Sequence, residues 1–161
     1  MQSKCWKFGN NISTDEIIST QYMVLSEAEK LAEHIFENIS SDFAKNVSKG
    51  DILVAGDNFG YGSSREHAVM AIKGAGIKAV VAKSFARIFF RNSINLGLMI
   101  INCDEASERI QEGDMVELDV EKSIIKNLSR NEEYHFDNYP DFILEYFKND
   151  GLINTINKKN L

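Results

Sequence analysis

The stretch Asp51-Ile52-Leu53-Val54-Ala55-Gly56-Asp57-Asn58-Phe59-Gly60-Tyr61-Gly62-Ser63-Ser64-Arg65-Glu66-His67-Ala68 decides the fold. Its first five residues read as a short buried strand. The apolar spacing of Val69, Met70, Ile72 and Ala75 behind it reads as a helix. Between the two, glycines let the backbone turn tightly and come close to a bound group. Ser63 and Glu66 have the spacing of a capping box. The first turn of that helix then offers free N–H groups, the positive end of a helix dipole, two hydroxyls and the fork of Arg65. Such a donor set suits an anion, and a carboxylate above all.

Downstream, Ala79-Val80-Val81-Ala82 is a second buried strand. Ser84 opens a helix through Phe85, Ile88, Phe89 and Ile94, and Gly97 stands where it should stop. Leu98-Met99-Ile100-Ile101 is a third strand. This alternation over residues 51–102 implies a βαβαβ unit with parallel strands. Residues 115–120, 123–128 and 133–136 change character and read as antiparallel strands joined by polar turns. Pro140 introduces a helix carrying Phe142, Ile143, Tyr146 and Phe147, with Gly151 as its stop, and the polar residues 154–161 read as a frayed tail. Upstream, Cys5-Trp6-Lys7-Phe8 is a short strand before the turn Gly9-Asn10-Asn11. Residues 12–18 read as a polar loop with apolar ends. Residues 26–38 read as an amphipathic helix capped by Ser26 and Glu29, with Leu31, Ile35 and Phe36 on one face. No repeat, low-complexity run or linker interrupts the chain. The expectation is one α/β domain over residues 1–161.

Composition narrows the function. The 161 residues, 43% of them hydrophobic, suffice for a core of ordinary size. A net charge of −6 argues against a broad nucleic-acid surface. No apolar run is long enough to cross a membrane, and the first residues lack the order of a signal peptide. Cys5 and Cys103 are far apart with no C-x-x-C pair, so they read as reduced thiols of a cytoplasmic protein. The glycine loop is no dinucleotide fingerprint, because Arg65 takes the third glycine's place and no acidic residue is set for a ribose. The Walker lysine and the nucleophile-elbow pattern are absent as well.

Ser63 and Ser64 alone would read as helix caps. Three glycines and an arginine in the same turn tip the reading toward a ligand site. His34, His67 and His135 have no metal-ligand spacing and read as surface or packing residues. Asp15 has two readings, a turn aspartate and a charge partner for Arg65 or Ser63. Arg87 and Arg91 lie one turn apart and read as a solvated helix face. Phe85, Phe89 and Phe90 read as core.

Asp57-Asn58-Phe59-Gly60, Gly62-Ser63-Ser64-Arg65-Glu66-His67-Ala68 and Ala82-Lys83-Ser84-Phe85-Ala86-Arg87-Ile88-Phe89 resemble the swivelling β/β/α domain of the aconitase superfamily. In the form of a short separate chain, the sequence resembles the family of 3-isopropylmalate dehydratase small subunits. The resemblance runs from Ser13-Thr14-Asp15 to Gly151-Leu152-Ile153. It implies a hydro-lyase that exchanges 2-isopropylmalate and 3-isopropylmalate by dehydration and rehydration, in leucine biosynthesis. It also implies that activity needs a large partner subunit carrying a 4Fe–4S iron–sulfur cluster. Two distant cysteines do not supply the three thiolates of such a cluster. No cofactor or metal is therefore expected on this chain, and neither nucleic acid nor a membrane is an expected partner.

By the same resemblance Ser63 would be the base, Ser64 and Arg65 would bind the substrate carboxylate, and Asp15 would orient the arginine or serine. Because Ser63 cannot be both a cap and a base, Ser64 would take over capping. The loop Tyr22-Met23-Val24-Leu25 would set substrate choice, which makes Tyr22, Val24 and Leu25 substrate-binding residues. Homoaconitase-like chains carry an arginine in that loop. Val24 and Leu25 suit a branched alkyl group and would leave a third carboxylate unpaired. Tyr61, where many relatives have cysteine, would narrow the pocket. The alternatives are a subunit acting on 2,3-dimethylmalate, a citramalate-type diacid or homoaconitate, and a non-enzymatic anion-binding regulatory protein.

Overall fold

The computed structural model describes residues 2–160. Strand β1 (Ser3–Lys7) leads to a helical turn α1 (Thr14–Ile17), a 3-10 turn at Thr20–Tyr22, and two short helices, α2 (Ala28–Ala32) and α3 (Phe43–Asn46). The βαβαβ unit follows as β2 (Ile52–Val54), α4 (His67–Gly74), β3 (Ala79–Ala82), α5 (Arg87–Leu96) and β4 (Met99–Asn102). Helix α6 (Asp104–Arg109) precedes β5 (Met115–Asp119), β6 (Ile124–Asn127) and β7 (Glu132–His135), and helices α7 (Asp141–Lys148) and α8 (Leu152–Lys159) come last. The strands form one sheet in the order β4-β3-β2-β1-β5-β6-β7. The pairs from β1 to β4 are parallel, as the βαβαβ pattern requires, and β1 is antiparallel to β5. The remaining pairs are antiparallel, as the polar turns between them imply.

The parallel strands are covered on both faces, which is why they read as unbroken apolar runs. Leu53, Val80 and Ile100 point to the layer that holds Leu31, Ile35, Phe36 and the buried face of α4. Their neighbours Ile52, Val54, Val81 and Ile101 point the other way, against Ala106, Val116, Ile125 and Tyr134. Strand alternation thus feeds two cores from one sheet. No helix among the described residues is long and apolar enough to cross a membrane.

Three local expectations are corrected. The helix expected over residues 26–38 is helical only over Ala28–Ala32, and Glu27, not Ser26, stands at its N-cap without a side-chain bond. The chain breaks because Phe36 adopts φ 54° and its N–H donates to the Ile17 carbonyl at 2.8 Å. That turn stacks the Phe36 ring on Phe8 at 4.3 Å and sets it edge-on to Phe43 at 5.0 Å. Leu31, Ile35 and Phe36 are nonetheless all buried. Residues 12–18 are not a plain loop: Ser13 and Glu16 close a full capping box at the start of α1. The expected frayed tail is helix α8, anchored where buried Thr155 Oγ1 donates to the Gly151 carbonyl at 2.8 Å; Leu161 lies outside the described residues.

Candidate active site

The loop between β2 and α4 leaves the carboxyl end of a parallel strand, the edge where open α/β sheets bind ligands. It is stitched down from two sides. Phe59 N–H donates to the Ser84 carbonyl and Ala86 N–H returns the bond to Phe59, each at 3.0 Å. Gly60 N–H donates to the Ile12 carbonyl at 2.7 Å, and Thr14 N–H to the Tyr61 carbonyl at 2.8 Å. Ser84 does not open α5, whose N-cap is Ala86. Its hydroxyl instead accepts Asn58 N–H at 2.8 Å, which holds the loop against the exit of β3. Two glycines are required by this path. Gly60 has φ +85° and a Cβ there would run into the Phe89 ring. Gly62 has φ +116° and a Cβ there would lie 2.9 Å from Thr14 Oγ1.

That Thr14 hydroxyl is the anchor of the site. It accepts Ser63 N–H at 2.9 Å, and Ser63 Oγ in turn accepts Arg65 N–H at 3.1 Å. The expected Ser63–Glu66 capping box is therefore absent. Helix α4 starts at His67 with Glu66 at the N-cap and no side-chain cap bond, so neither Ser63 nor Ser64 caps it. The serine donor and acceptor are committed to Thr14 and Arg65 before the helix begins. Ser64 is exposed, and its carbonyl accepts Asn92 Nδ2 at 3.1 Å, which ties α5 to the loop.

Thr14, Asp15, Ser63 and Arg65 line a cavity of about 330 Å³, with Ile18, Met23 and Ala68 as apolar wall. Thr20 and His67 complete the lining. Asp15 thus meets Ser63 and Arg65, which lie far from it in sequence, at one opening. Asp15 and Arg65 are both exposed, and no ion pair joins them or engages either one among the described residues. The first-turn N–H groups of α4 have no partner within the helix and sit beside the same opening.

Ser64, Tyr22, Val24 and Leu25 do not line this cavity. Tyr22 stacks on His34 at 3.9 Å between ring centroids, and its hydroxyl donates to Glu37 at 3.1 Å. Val24 is 89% exposed, while Leu25 packs against the core. From the same loop it is Met23 that faces the cavity. Thr14, Ile18, Thr20, Met23, His67 and Ala68 were not singled out as cavity residues from sequence. The position of Thr14 inside Ser13-Thr14-Asp15 was the one signal for it. For His67 and Ala68 the signal was their place in the run of residues 62–68.

Cys5 and Cys103 are both buried, and burial pushes the Cys5 thiol up to about 12 and the Cys103 thiol up as well. Among the described residues no group of three or more His, Cys, Asp or Glu side chains is placed to hold a metal ion. Two protonated, enclosed thiols do not fit a 4Fe–4S cluster.

Residues 6–106 match the aconitase C-terminal domain. The 3-isopropylmalate dehydratase small subunit 1 of Archaeoglobus fulgidus is 53% identical over 150 residues, 93% of this chain and 92% of that protein. The 3-isopropylmalate dehydratase small subunit of Clostridium botulinum is 50% identical over 159 residues, 99% of each. The crystal structure of 3-isopropylmalate dehydratase (leuD) from Methanocaldococcus jannaschii superposes with a TM-score of 0.93 at 42% identity, covering 99% of this chain and 94% of that one. A parallel βαβαβ core extended by antiparallel strands is the architecture of an aconitase-type swivelling domain. The chain belongs to this aconitase C-terminal domain family and, within it, to the 3-isopropylmalate dehydratase small subunits.

Proposed function

We propose that this chain is the small subunit of a heteromeric hydro-lyase that interconverts 2-isopropylmalate and 3-isopropylmalate in cytoplasmic leucine biosynthesis. Residues 1–161 act as one swivelling domain. The observation that carries the reading is the meeting of Ser63, Arg65 and Asp15 at one cavity beside the first turn of α4. The names of the relatives, matched over nearly their full length, support the substrate. A large partner subunit holds the iron–sulfur cluster that the cysteines of this chain do not fit.

In this assignment Ser63 Oγ, as the alkoxide, takes the proton from the carbon next to a substrate carboxylate during dehydration. The C–H electron pair becomes the second bond of the C=C, and the hydroxyl on the neighbouring carbon leaves as hydroxide. The Ser63 hydroxyl returns a proton to carbon during rehydration. A serine hydroxyl is a very weak acid, so the alkoxide needs donors already in place. Arg65 N–H points at Oγ, and the guanidinium and the first-turn amides of α4 add positive potential. The Arg65 fork grips a carboxylate through two parallel bonds, with Ser64 closing on the same group, and Asp15 orients the fork. Ile18, Met23 and Ala68 receive the branched alkyl group. Arg65 is the single Lys or Arg side chain lining this cavity, so a third carboxylate would enter unpaired, which disfavours homoaconitate. Tyr22, Val24 and Leu25 join the substrate pocket in the assembled enzyme, when the loop that carries Met23 is covered by the partner.

The test is reconstitution with the cluster-bearing chain and assay on a panel of diacids. Turnover of isopropylmalate above dimethylmalate, citramalate and homoaconitate is the expected result. Absence of isopropylmalate turnover by an assembled complex overturns the reading. Ser63→Ala should lower kcat by about 10²- to 10⁴-fold, the usual worth of a positioned base, while assembly on gel filtration is unchanged. Arg65→Lys keeps the charge but loses the fork, and KM should rise about tenfold.

A further inference from the structure

His67 opens α4 and lines the cavity with Ser63 and Arg65. Its Nδ1 is buried and has no hydrogen-bond partner. The other two imidazoles are placed elsewhere: His34 stacks on Tyr22 and meets Glu37 at 3.2 Å, and His135 is exposed on β7. A buried N–H without an acceptor is rarer in proteins than an under-used lone pair, which favours the tautomer with its hydrogen on Nε2. Nε2 is not among the buried unpartnered atoms, and the residue lines the cavity.

We propose that His67 is a second carboxylate-binding residue, donating Nε2–H to a substrate carboxylate oxygen beside the Arg65 fork. The proposal rests on the reading of this cavity as a diacid site. One guanidinium fork meets a single carboxylate through two parallel bonds, which leaves the second carboxylate of a diacid to other donors. The imidazole at the first position of α4 adds a donor beside that fork.

The test compares His67→Gln, His67→Asn and His67→Ala in the reconstituted enzyme. The glutamine amide nitrogen reaches the place of Nε2, whereas the asparagine amide reaches only that of Nδ1. KM for isopropylmalate should rise about 10- to 100-fold in His67→Asn and His67→Ala, with kcat changed far less, and stay within about threefold of the parent in His67→Gln. Unchanged KM in the alanine variant, or a glutamine variant as impaired as alanine, overturns the assignment. A second measurement does not depend on turnover. Nitrogen NMR of the full chain labelled at histidine should show His67 with Nδ1 unprotonated and Nε2 protonated. Added 2-isopropylmalate should shift Nε2, and an equal amount of isopropanol should not. The opposite tautomer, or no shift with the diacid, overturns the assignment. If the wild-type complex fails to turn over isopropylmalate, the functional reading falls and this spectrum alone judges His67, with malate as a second diacid.

Discussion

Ser63 is held by one bond at its backbone and one at its side chain. Thr14 Oγ1 accepts its N–H, and the Arg65 N–H then meets its Oγ. Thr14→Val keeps the shape of the side chain and removes the acceptor. Ser63 would then drift, and misplacement of a reacting group by about 1 Å is worth up to about 100-fold in rate. The expected outcome is a kcat lowered at least tenfold with KM little changed, and Thr14→Ser near wild type. Steady-state kinetics of the three reconstituted enzymes decide it; a Thr14→Val enzyme with full kcat would show that Ser63 is held by something else. Gly62→Ala should injure the same anchor from the other side. Its φ of +116° is hostile to a side chain, and the new Cβ would crowd Thr14 Oγ1. A stability loss of about 1–3 kcal/mol in urea unfolding should accompany the loss of rate.

At the scale of elements, the end of α5 joins two parts of the molecule. Gly97 is left-handed, at φ 79°, its N–H donates to the Ile94 carbonyl at 3.1 Å, and Leu98 N–H reaches back to Ser93 at 2.8 Å. This is the Schellman arrangement. A Cβ on Gly97 would also collide with the Asp150–Gly151 backbone between α7 and α8. Gly97→Ala should therefore cost about 2 kcal/mol or more, more than the αL penalty alone, and lower the melting temperature by several degrees. Equal melting temperatures would refute the clash.

This stop was legible because a glycine after the last apolar position acts locally. Capping boxes were not legible in the same way. Ser13-x-x-Glu16, Ser26-x-x-Glu29 and Ser63-x-x-Glu66 carry one signature, and only the first forms. Ser63 is diverted by Thr14 from 49 residues away, and residues 26–38 are bent by the burial of Phe36 against Phe8 and Phe43. Such partners come from elsewhere in the chain, beyond any local pattern. The parallel core read well for the opposite reason, since its strands are buried on both faces and its helices alternate with them. In the site, turn chemistry and resemblance pointed to Ser63, Arg65 and Asp15. The Thr14 hydroxyl and the unmatched His67 nitrogen depend on packing that no spacing encodes.

At the scale of the whole molecule, β1 separates two kinds of sheet. Its parallel side carries the loops of the cavity, and its antiparallel side carries β5, β6 and β7. The junction is held by polar bonds at Asp114: Cys5 N–H donates to its carbonyl at 2.9 Å. The Asp114 carboxylate, itself buried, accepts Gln111 N–H at 2.9 Å, Asn127 Nδ2 at 3.0 Å and Arg130 Nε at 2.8 Å. Burial by itself would raise this carboxyl. The bonds from Asn127 and Gln111 and the Arg130 guanidinium outweigh burial and hold it below its ordinary range. A carboxyl depressed in the folded state stabilises the fold fully above its unfolded value, near pH 4, and loses that contribution as pH falls through the folded value. Asp114→Asn removes the titration and the charge on which Arg130 rests. At pH 7 the variant should be less stable by about 1.5–3 kcal/mol, the worth of hydrogen bonds to a charged group. The gap between variant and wild type should then shrink between pH 4 and pH 2, measured as urea midpoints across the series. A gap constant over that range would mean that the carboxylate charge contributes nothing to the junction. Because Asp114 sits on the far side of β1 from the loops that carry Ser63 and Arg65, the folded variant should keep the kcat of the parent enzyme at pH 7. Loss of rate without loss of stability would instead mean that the antiparallel side positions the site.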